Sequence, residues 1–548
     1  MAPRPRLPAL IPPARHLHSS ACARHPPPPL PTTVAASLAA ASSSTGPAPD
    51  TLSGWIRSVR RQKNVSFAVL SDGSQVGGVQ VVLPKGLDDG FTVGCSASLR
   101  GAWVDSRGQG QAKEFKVDEV TFVGESDAEV RLVPLDWLSP FRRLPDTIAL
   151  SQTYPMPNTK QGIPLPVLRR NAHLRPRKDG PAAMLRVRSE MNWALSDHFR
   201  REGFVRVELP IITSSDCEGA GEVFRVVEGA PESPAPASTA PPAPPASTAD
   251  SPKPAPPPAP SRYLTVSTQL HLEAVTSSLQ RAYTFAPCFR AEKSDTSRHL
   301  QEFWMLEAEA AFLDADVPTA LDQVMHIAES TVRAIATHVR AQPDVEAHFA
   351  AQAPALEAQY AALLAPAPYP RLSYTRAVEL LATHAAAHPG AFAFAPVWGA
   401  GLQTEHERWL AEDHVRGPLF VTDYPSALKP FYMLANEAAS GASSVGEAAG
   451  ARAGRQTTAC FDLLVPGVGE LAGGSLREHR REQLVAAMDA HGLDHEGAYR
   501  WYVDLRRYGT TRHGGFGLGW ERLVGLLTGE TNVRECTAFP RAAEGSRF

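Results

Sequence analysis

The chain has 548 residues, 43% hydrophobic and 20% charged, with a formal net charge of -3. At about 150 residues per domain this length implies two to four folded units. The absence of an uninterrupted apolar run of about 18 residues argues against a membrane span, and the near-neutral charge confines any nucleic-acid surface to a local basic face.

Residues 1–49 hold four arginines (Arg4, Arg6, Arg15 and Arg24) and no acidic residue among many Ala, Ser and Pro. This is the composition of a disordered organellar transit peptide, which points to the mitochondrial matrix; an ordinary disordered terminus on a cytoplasmic protein is the alternative. From 50 to 125, short alternating runs such as Phe67–Leu70 and Val79–Leu83 are separated by Gly-rich turns and predict a small all-β domain, sandwich or barrel. Arg57, Arg60, Arg61 and Lys63 lie beside the first strands with Phe67 among them. On one face of a barrel such residues would stack unpaired bases; a solvated strand edge is the plainer alternative.

A connector over 126–180 precedes Pro181, where a helix opens with Met184, Val187, Met191, Leu195 and Phe199 at three- and four-residue spacing. Strands and helices then alternate to the end, which predicts an α+β domain over 181–548. Residues 229–260, almost wholly Pro, Ala and Ser, read as a disordered insertion, and Ser440–Gly454 as a mobile loop. The Ala-rich stretch 315–363 reads as helices inserted into the domain. Six cysteines (Cys22, Cys95, Cys217, Cys288, Cys460 and Cys536) form no C-x-x-C pair, so free thiols in a reducing compartment are expected rather than a zinc knuckle or disulfide framework.

Three segments could carry chemistry. Arg290, Glu292, Arg298, His299 and Phe303 span a strand, a polar loop and a returning strand. A strand arginine facing the attacked phosphate, loop cations on the outer phosphates and an aromatic over a purine would suit a nucleoside triphosphate. His513–Leu523 places a glycine-rich strand directly before a helix bearing Arg522, so backbone and cation could approach phosphate closely. Between them Asp462 and Glu470 are candidate Mg²⁺ ligands, followed by Arg477.

In this order the three segments resemble the signatures of the class II aminoacyl-tRNA synthetases, within the subgroup of aspartyl, asparaginyl and lysyl enzymes. The helix and strand ending at Pro210 would be the first signature, Phe289–Glu309 the second and Gly515–Leu523 the third. The resemblance implies an N-terminal OB-fold β-barrel that reads the anticodon, a central antiparallel sheet flanked by helices, and a homodimer built through the first signature. By position, Arg290 would hold the α-phosphate of ATP, Glu292 the adenine side, and Arg298 and His299 the outer phosphates. Phe303 and Arg522 would sandwich the adenine, and Glu470, with Asp462, would hold Mg²⁺. Phe67, Gln80 and Glu114 fall where the relatives contact the anticodon.

In the aspartyl relatives a lysine after the Gln-Leu signature pairs with the substrate carboxylate; here Gln269-Leu270-His271-Leu272 places Leu272 there. Glu307 could accept from a carboxamide NH₂ and Arg477 donate to its oxygen, so the pocket points to asparagine, with Gln269 beside it and Glu218 on the ammonium group. Segments such as His173–Arg177, Thr404–Arg408 and Trp501–Gly509 look like the asparaginyl branch. The implied reaction joins asparagine to AMP, releases pyrophosphate and passes the amino acid to the 3′-terminal adenosine of tRNA(Asn). An aspartyl enzyme, a catalytically silent RNA-binding protein and an amide synthetase are the alternatives.

Overall fold

The computed structural model of the chain describes residues 30–43, 49–108, 111–126, 154–156, 162–214, 223–227, 262–293, 296–350, 355–437 and 455–543, and its contacts divide it into two units near residue 126. The first contains helix α1 (Val34–Ser42) and strands β1 (Thr51–Arg61), β2 (Val65–Ser71), β3 (Val79–Pro84), β4 (Ser96–Asp105) and β5 (Lys113–Gly124). The strands close into a barrel in the order β1-β2-β3-β5-β4, with only β3 and β5 parallel. Closure removes the strand edges, and alternate residues such as Ala68, Leu70, Val81 and Phe115 fill the interior.

Helix α1 corrects the expectation that all of 1–49 is disordered. The Thr33 hydroxyl caps it by accepting from the Ala36 amide, while the Val34 and Ala35 amides donate to Asp72 (2.8 Å) and Ser74 (3.0 Å). Trp103 Nε1 donates to Ser37 Oγ at 3.0 Å, and Val34 is fully buried in the barrel core. With few large apolar side chains among its Ala and Ser, the helix has the composition of a leader, which hid it. Residues 1–29 and 44–48 lie outside the described residues.

The second unit opens with α2 (Leu165–Arg170), α3 (Asp179–Arg201) and β6 (Val205–Arg206). A small sheet of β7 (Ile212–Thr213), β8 (Arg225–Val226) and β9 (Arg262–Leu264) leads to α4 (Gln269–Thr276), β10 (Arg281–Phe289) and β11 (Glu302–Ala311). Next come α5 (Val317–Arg340), α6 (Leu356–Leu363), β12 (Arg371–Ser373), α7 (Tyr374–Ala387), α8 (Thr404–Arg408) and β13 (Leu419–Thr422). The chain ends through β14 (Cys460–Val465), β15 (Gly469–Leu476), α9 (Arg481–Ala490), α10 (Arg500–Arg507), β16 (His513–Gly519) and α11 (Trp520–Thr528).

Eight strands form one sheet, β12-β13-β14-β15-β16-β11-β10-β6, antiparallel through its centre and parallel only in the β12/β13 and β10/β6 pairs at its edges. One face packs against α3, α5 and α11; Leu306, Ala308, Phe461, Phe516 and Leu518 meet Val187, Val324 and Leu523 in a single core. Helix α5 is therefore not an insertion, as its Ala-rich sequence suggested. Leu321, Val324, Ala328, Val332, Ile335 and Val339 make a stripe that lies in that same core.

The connector also ends earlier than residue 180. Arg175 is 2% exposed, donates to the Ala538 carbonyl (3.1 Å) and pairs with Glu535 (3.1 Å), so this part of the chain belongs to the folded second unit. Residues 127–153 and 157–161, the Pro-rich stretch 229–260 and the Ser440–Gly454 loop lie outside the described residues. Among the described residues, Cys95, Cys288, Cys460 and Cys536 are buried free thiols, and no helix is long and apolar enough to cross a membrane.

Relative to a protein that lacks residues 1–29, removing 1–43 should expose the Val34 site and cost about 1–3 kcal/mol. Thermal unfolding of the two truncated proteins, followed by circular dichroism, checks this; equal melting would contradict the role given to α1.

Candidate active site

Strand β11 divides the core from the site. Its even residues Leu306, Ala308 and Ala310 enter the core, so Phe303, Met305, Glu307 and Glu309 project from the opposite face. Strand β16 pairs with it, Gly517 opposite Glu307 and Gly515 opposite Glu309. These glycines are required by close approach. A Cβ at Gly515 would lie 2.0 Å from a Glu309 carboxylate oxygen, and one at Gly517 would lie 2.6 Å from the Met305 methyl.

A cleft of about 690 Å³ opens on this face, lined by Arg290, Glu292, Arg298, His299, Phe303 and Arg522 together with Met305, Glu470, Gly517 and Gly519. All seven residues assigned to ATP therefore line one space. The Arg290 guanidinium stands 5.5 Å from the Phe303 ring centroid. Glu292 lies 3.4 Å from His299 and 3.9 Å from Arg290, while Arg522 donates to the Glu470 carbonyl at 2.7 Å. Burial, then the nearby Arg522 and Arg408, lower the pKa of Arg298 from its ordinary value. Such crowding of positive charge is relieved by an anion with several phosphates.

Beside these cations is an acidic cluster. A Cβ at Gly473 would lie 3.2 Å from a Glu470 oxygen and 3.4 Å from an Asp462 oxygen, so both carboxylates face one spot. Both oxygens of Asp462 accept from Lys429 Nζ at 3.0 Å, and Tyr424 bonds to the same carboxylate. Although burial opposes the charge, Asp462 holds Lys429 above the ordinary lysine range. Glu407, on α8, completes the cluster. Burial first, then Glu470 and Asp462, push its carboxyl up to about 7. Three carboxylates, with Lys429 on Asp462 and Arg522 3.7 Å from Glu470, are an oxygen-rich set that suits Mg²⁺. Glu273, Glu309 and His513 also converge, but Arg506 and Arg477 already pair with those carboxylates, so that cluster is a buried ion network rather than a cation site.

Further along the same face lie the residues assigned to the amino acid. Glu307, 3% exposed, accepts from the Thr268 amide at 3.0 Å and from the Ser267 and Thr268 hydroxyls. Its first task is thus to anchor the start of α4, and a carboxylate keeps lone pairs for one further donor. Arg477 is held bidentately by Glu309 (3.1 and 2.9 Å) and donates to Ser475 Oγ at 2.7 Å. Gln269 Nε2 donates to Glu273 at 3.1 Å. Leu272 is buried, and Glu218 lies outside the described residues. Sequence reasoning gave no role to Glu407, Lys429, Glu309 or Glu273; Glu309 had a local signal, two residues beyond Glu307 on the same strand face, and Glu407 fell within the Thr404–Arg408 segment.

On the barrel, Phe67 is on the outward face with the Arg60 guanidinium 5.6 Å from its ring, which excludes a core role. Gln80 Nε2 donates to Glu114 at 3.0 Å, so these two are joined across β3 and β5.

Residues 166–543 match the family described as tRNA synthetases class II (D, K and N), and the chain belongs to that family. It is 38% identical to the asparagine–tRNA ligase of Desulfotalea psychrophila over 90% of this chain and 94% of that one, and 37% identical to the asparaginyl-tRNA synthetase of Mus musculus over 90% and 89%. Among solved structures it is similar to the asparaginyl-tRNA synthetase of Pyrococcus horikoshii complexed with asparaginyl-adenylate, at 26% identity and a TM-score of 0.66 over 90% of this chain and 94% of that chain. The asparaginyl-tRNA synthetase of Entamoeba histolytica matches with the same identity and TM-score over 90% and 95%.

Because folded Glu407 holds its proton up to about 7 and the unfolded group only to about 4.5, stability should fall as pH rises through that window and level off above it. Melting temperatures between pH 4 and 8.5 in chelator should show a slope that Glu407→Gln flattens. An unaltered slope in the variant would contradict the acidic cluster.

Proposed function

We propose that this chain activates asparagine with ATP and transfers it to tRNA(Asn). The observation that carries this reading is the single face of β11 on which Phe303 and Met305 line a cationic cleft while the buried Glu307 and the Glu309 that holds Arg477 follow on the same side, with Leu272 where a lysine would be needed for aspartate. An aspartate carboxylate there would meet Glu307 without a compensating lysine, whereas a carboxamide offers Glu307 a donor and Arg477 an acceptor.

The chemistry needs no protein nucleophile. The asparagine carboxylate attacks the α-phosphorus, the bond to pyrophosphate breaks, and the 3′-terminal ribose hydroxyl of tRNA later attacks the acyl carbon and releases AMP. Arg290 stabilises charge developing on the α-phosphate, Arg298 and His299 bind the outer phosphates, and Phe303 and Arg522 enclose the adenine. Mg²⁺, which neutralises charge on the phosphates, would be held by Glu470 with Asp462 and Glu407 alongside. Arg60, Phe67, Gln80 and Glu114 would offer the anticodon one stacking surface with polar groups at its edge. Two copies pairing through α3 and β6, and import into mitochondria directed by the arginine-bearing, acid-free residues 1–29, complete the reading.

ATP–pyrophosphate exchange should depend on asparagine and not on aspartate at equal concentration, and Arg290→Ala should reduce it about 10²- to 10³-fold with the fold retained. Phe67→Ala should weaken tRNA(Asn) binding about tenfold and leave exchange intact, since stacking is lost far from the chemistry. Exchange driven by aspartate would overturn the substrate, and full exchange by Arg290→Ala would remove its role. Residues 1–29 fused to a fluorescent protein should reach mitochondria; cytosolic fluorescence would overturn the compartment.

A further inference from the structure

Glu273, in the middle of α4, is fully buried and is the acceptor on which four elements meet. Its Oε2 accepts from Tyr502 OH at 2.7 Å and Arg506 Nη2 at 2.8 Å, both on α10, and lies 3.1 Å from His513 Nε2 at the start of β16. Its Oε1 accepts from Gln269 Nε2 at 3.1 Å and lies 3.9 Å from Nε of Arg477, which directly follows β15. Although burial opposes its charge, Arg506, His513 and Arg477 hold Glu273 well below the usual carboxylate range, so it is an acceptor only.

That fact sets the polarity of Gln269. A side-chain amide can rotate to offer either oxygen or NH₂, and in most surroundings neither is preferred. Against an ionised carboxylate only the NH₂ can face inward, and the amide oxygen must then face away, with no partner among the described residues. An outward oxygen accepts from an ammonium group; an outward NH₂ would repel it.

We propose that Glu273 is a positioning residue for the amino acid: it locks the Gln269 amide with its oxygen outward for the substrate's α-ammonium group and, through the same carboxylate, holds that position in register with Arg477. The proposal rests on the asparagine-activating reading of the site. Helix α10 thereby takes part in recognition without touching the substrate, because Tyr502 and Arg506 fix the Glu273 carboxylate from behind. The double hold of Arg477, bidentate to Glu309 and facing Glu273, means that the two ends of the amino acid are read by groups sharing one buried ion network.

Glu273→Gln keeps the shape but removes the obligate acceptor, so Gln269 can turn its NH₂ outward. In asparagine-dependent ATP–pyrophosphate exchange, KM for asparagine should rise about tenfold while KM for ATP stays within about twofold. The decisive readout is succinamate, which is asparagine without the α-amino group. In competition binding the preference for asparagine over succinamate should fall about tenfold in the variant, which a general loosening of the pocket would not produce, since both ligands would then weaken together. An unchanged preference with a folded Glu273→Gln protein overturns the proposal. Should that variant fail to fold, Tyr502→Phe, which removes one support of Glu273, should shift the same preference about threefold; no shift overturns it equally. If the unaltered protein shows no asparagine-dependent exchange, the functional reading fails instead, a result separate from either variant.

Discussion

The pleat of strand β11 is the constraint on which the rest of the catalytic unit depends. Successive side chains of a strand must point to opposite faces, so burying Leu306, Ala308 and Ala310 against α3 and α5 obliges Phe303, Met305, Glu307 and Glu309 to face the cleft. A slip of one residue would send two carboxylates into the core and the aromatic away from the nucleotide. The register is pinned on one side by nine pairs with β10 and on the other by seven with β16, where glycine at 515 and 517 makes the room that Glu309 and Met305 need.

Charge organises the cleft in two adjoining zones. Arg298 is crowded by Arg522 and Arg408 and Glu407 by Glu470 and Asp462, with the Arg522–Glu470 pair at the boundary between the two zones. Each zone alone costs folding free energy, and each is relieved by the ligand of the other sign. A triphosphate with its divalent cation satisfies both at once. Binding therefore relieves repulsion between groups that are already in place when substrate arrives.

How much was legible in the sequence follows contact distance along the chain. Arg290 to Phe303 sit on a hairpin, and His513 to Arg522 on a strand leading into a helix, so local order revealed both. The all-β character of 50–125 and the helix after Pro181 were equally open to pattern. Hidden were partners far apart: Lys429 reaches Asp462 across 33 residues, Arg477 reaches Glu309 across 168, and Arg506 reaches Glu273 across 233. No periodicity reports such pairs. Composition misled twice in the same way, since Ala-rich segments carry little apolar mass: α1 resembled a leader and α5 an insertion, yet both belong to cores.

The central claim is that one face binds adenylate and carboxamide together. Calorimetric titration with the non-reactive sulfamoyl adenosines of asparagine and of aspartate tests it directly, because each presents the nucleotide and the amino acid in one molecule. The asparaginyl compound should bind at least about a hundredfold tighter. Equal affinity, or preference for the aspartyl compound, would contradict the roles given to Glu307, Leu272 and Arg477.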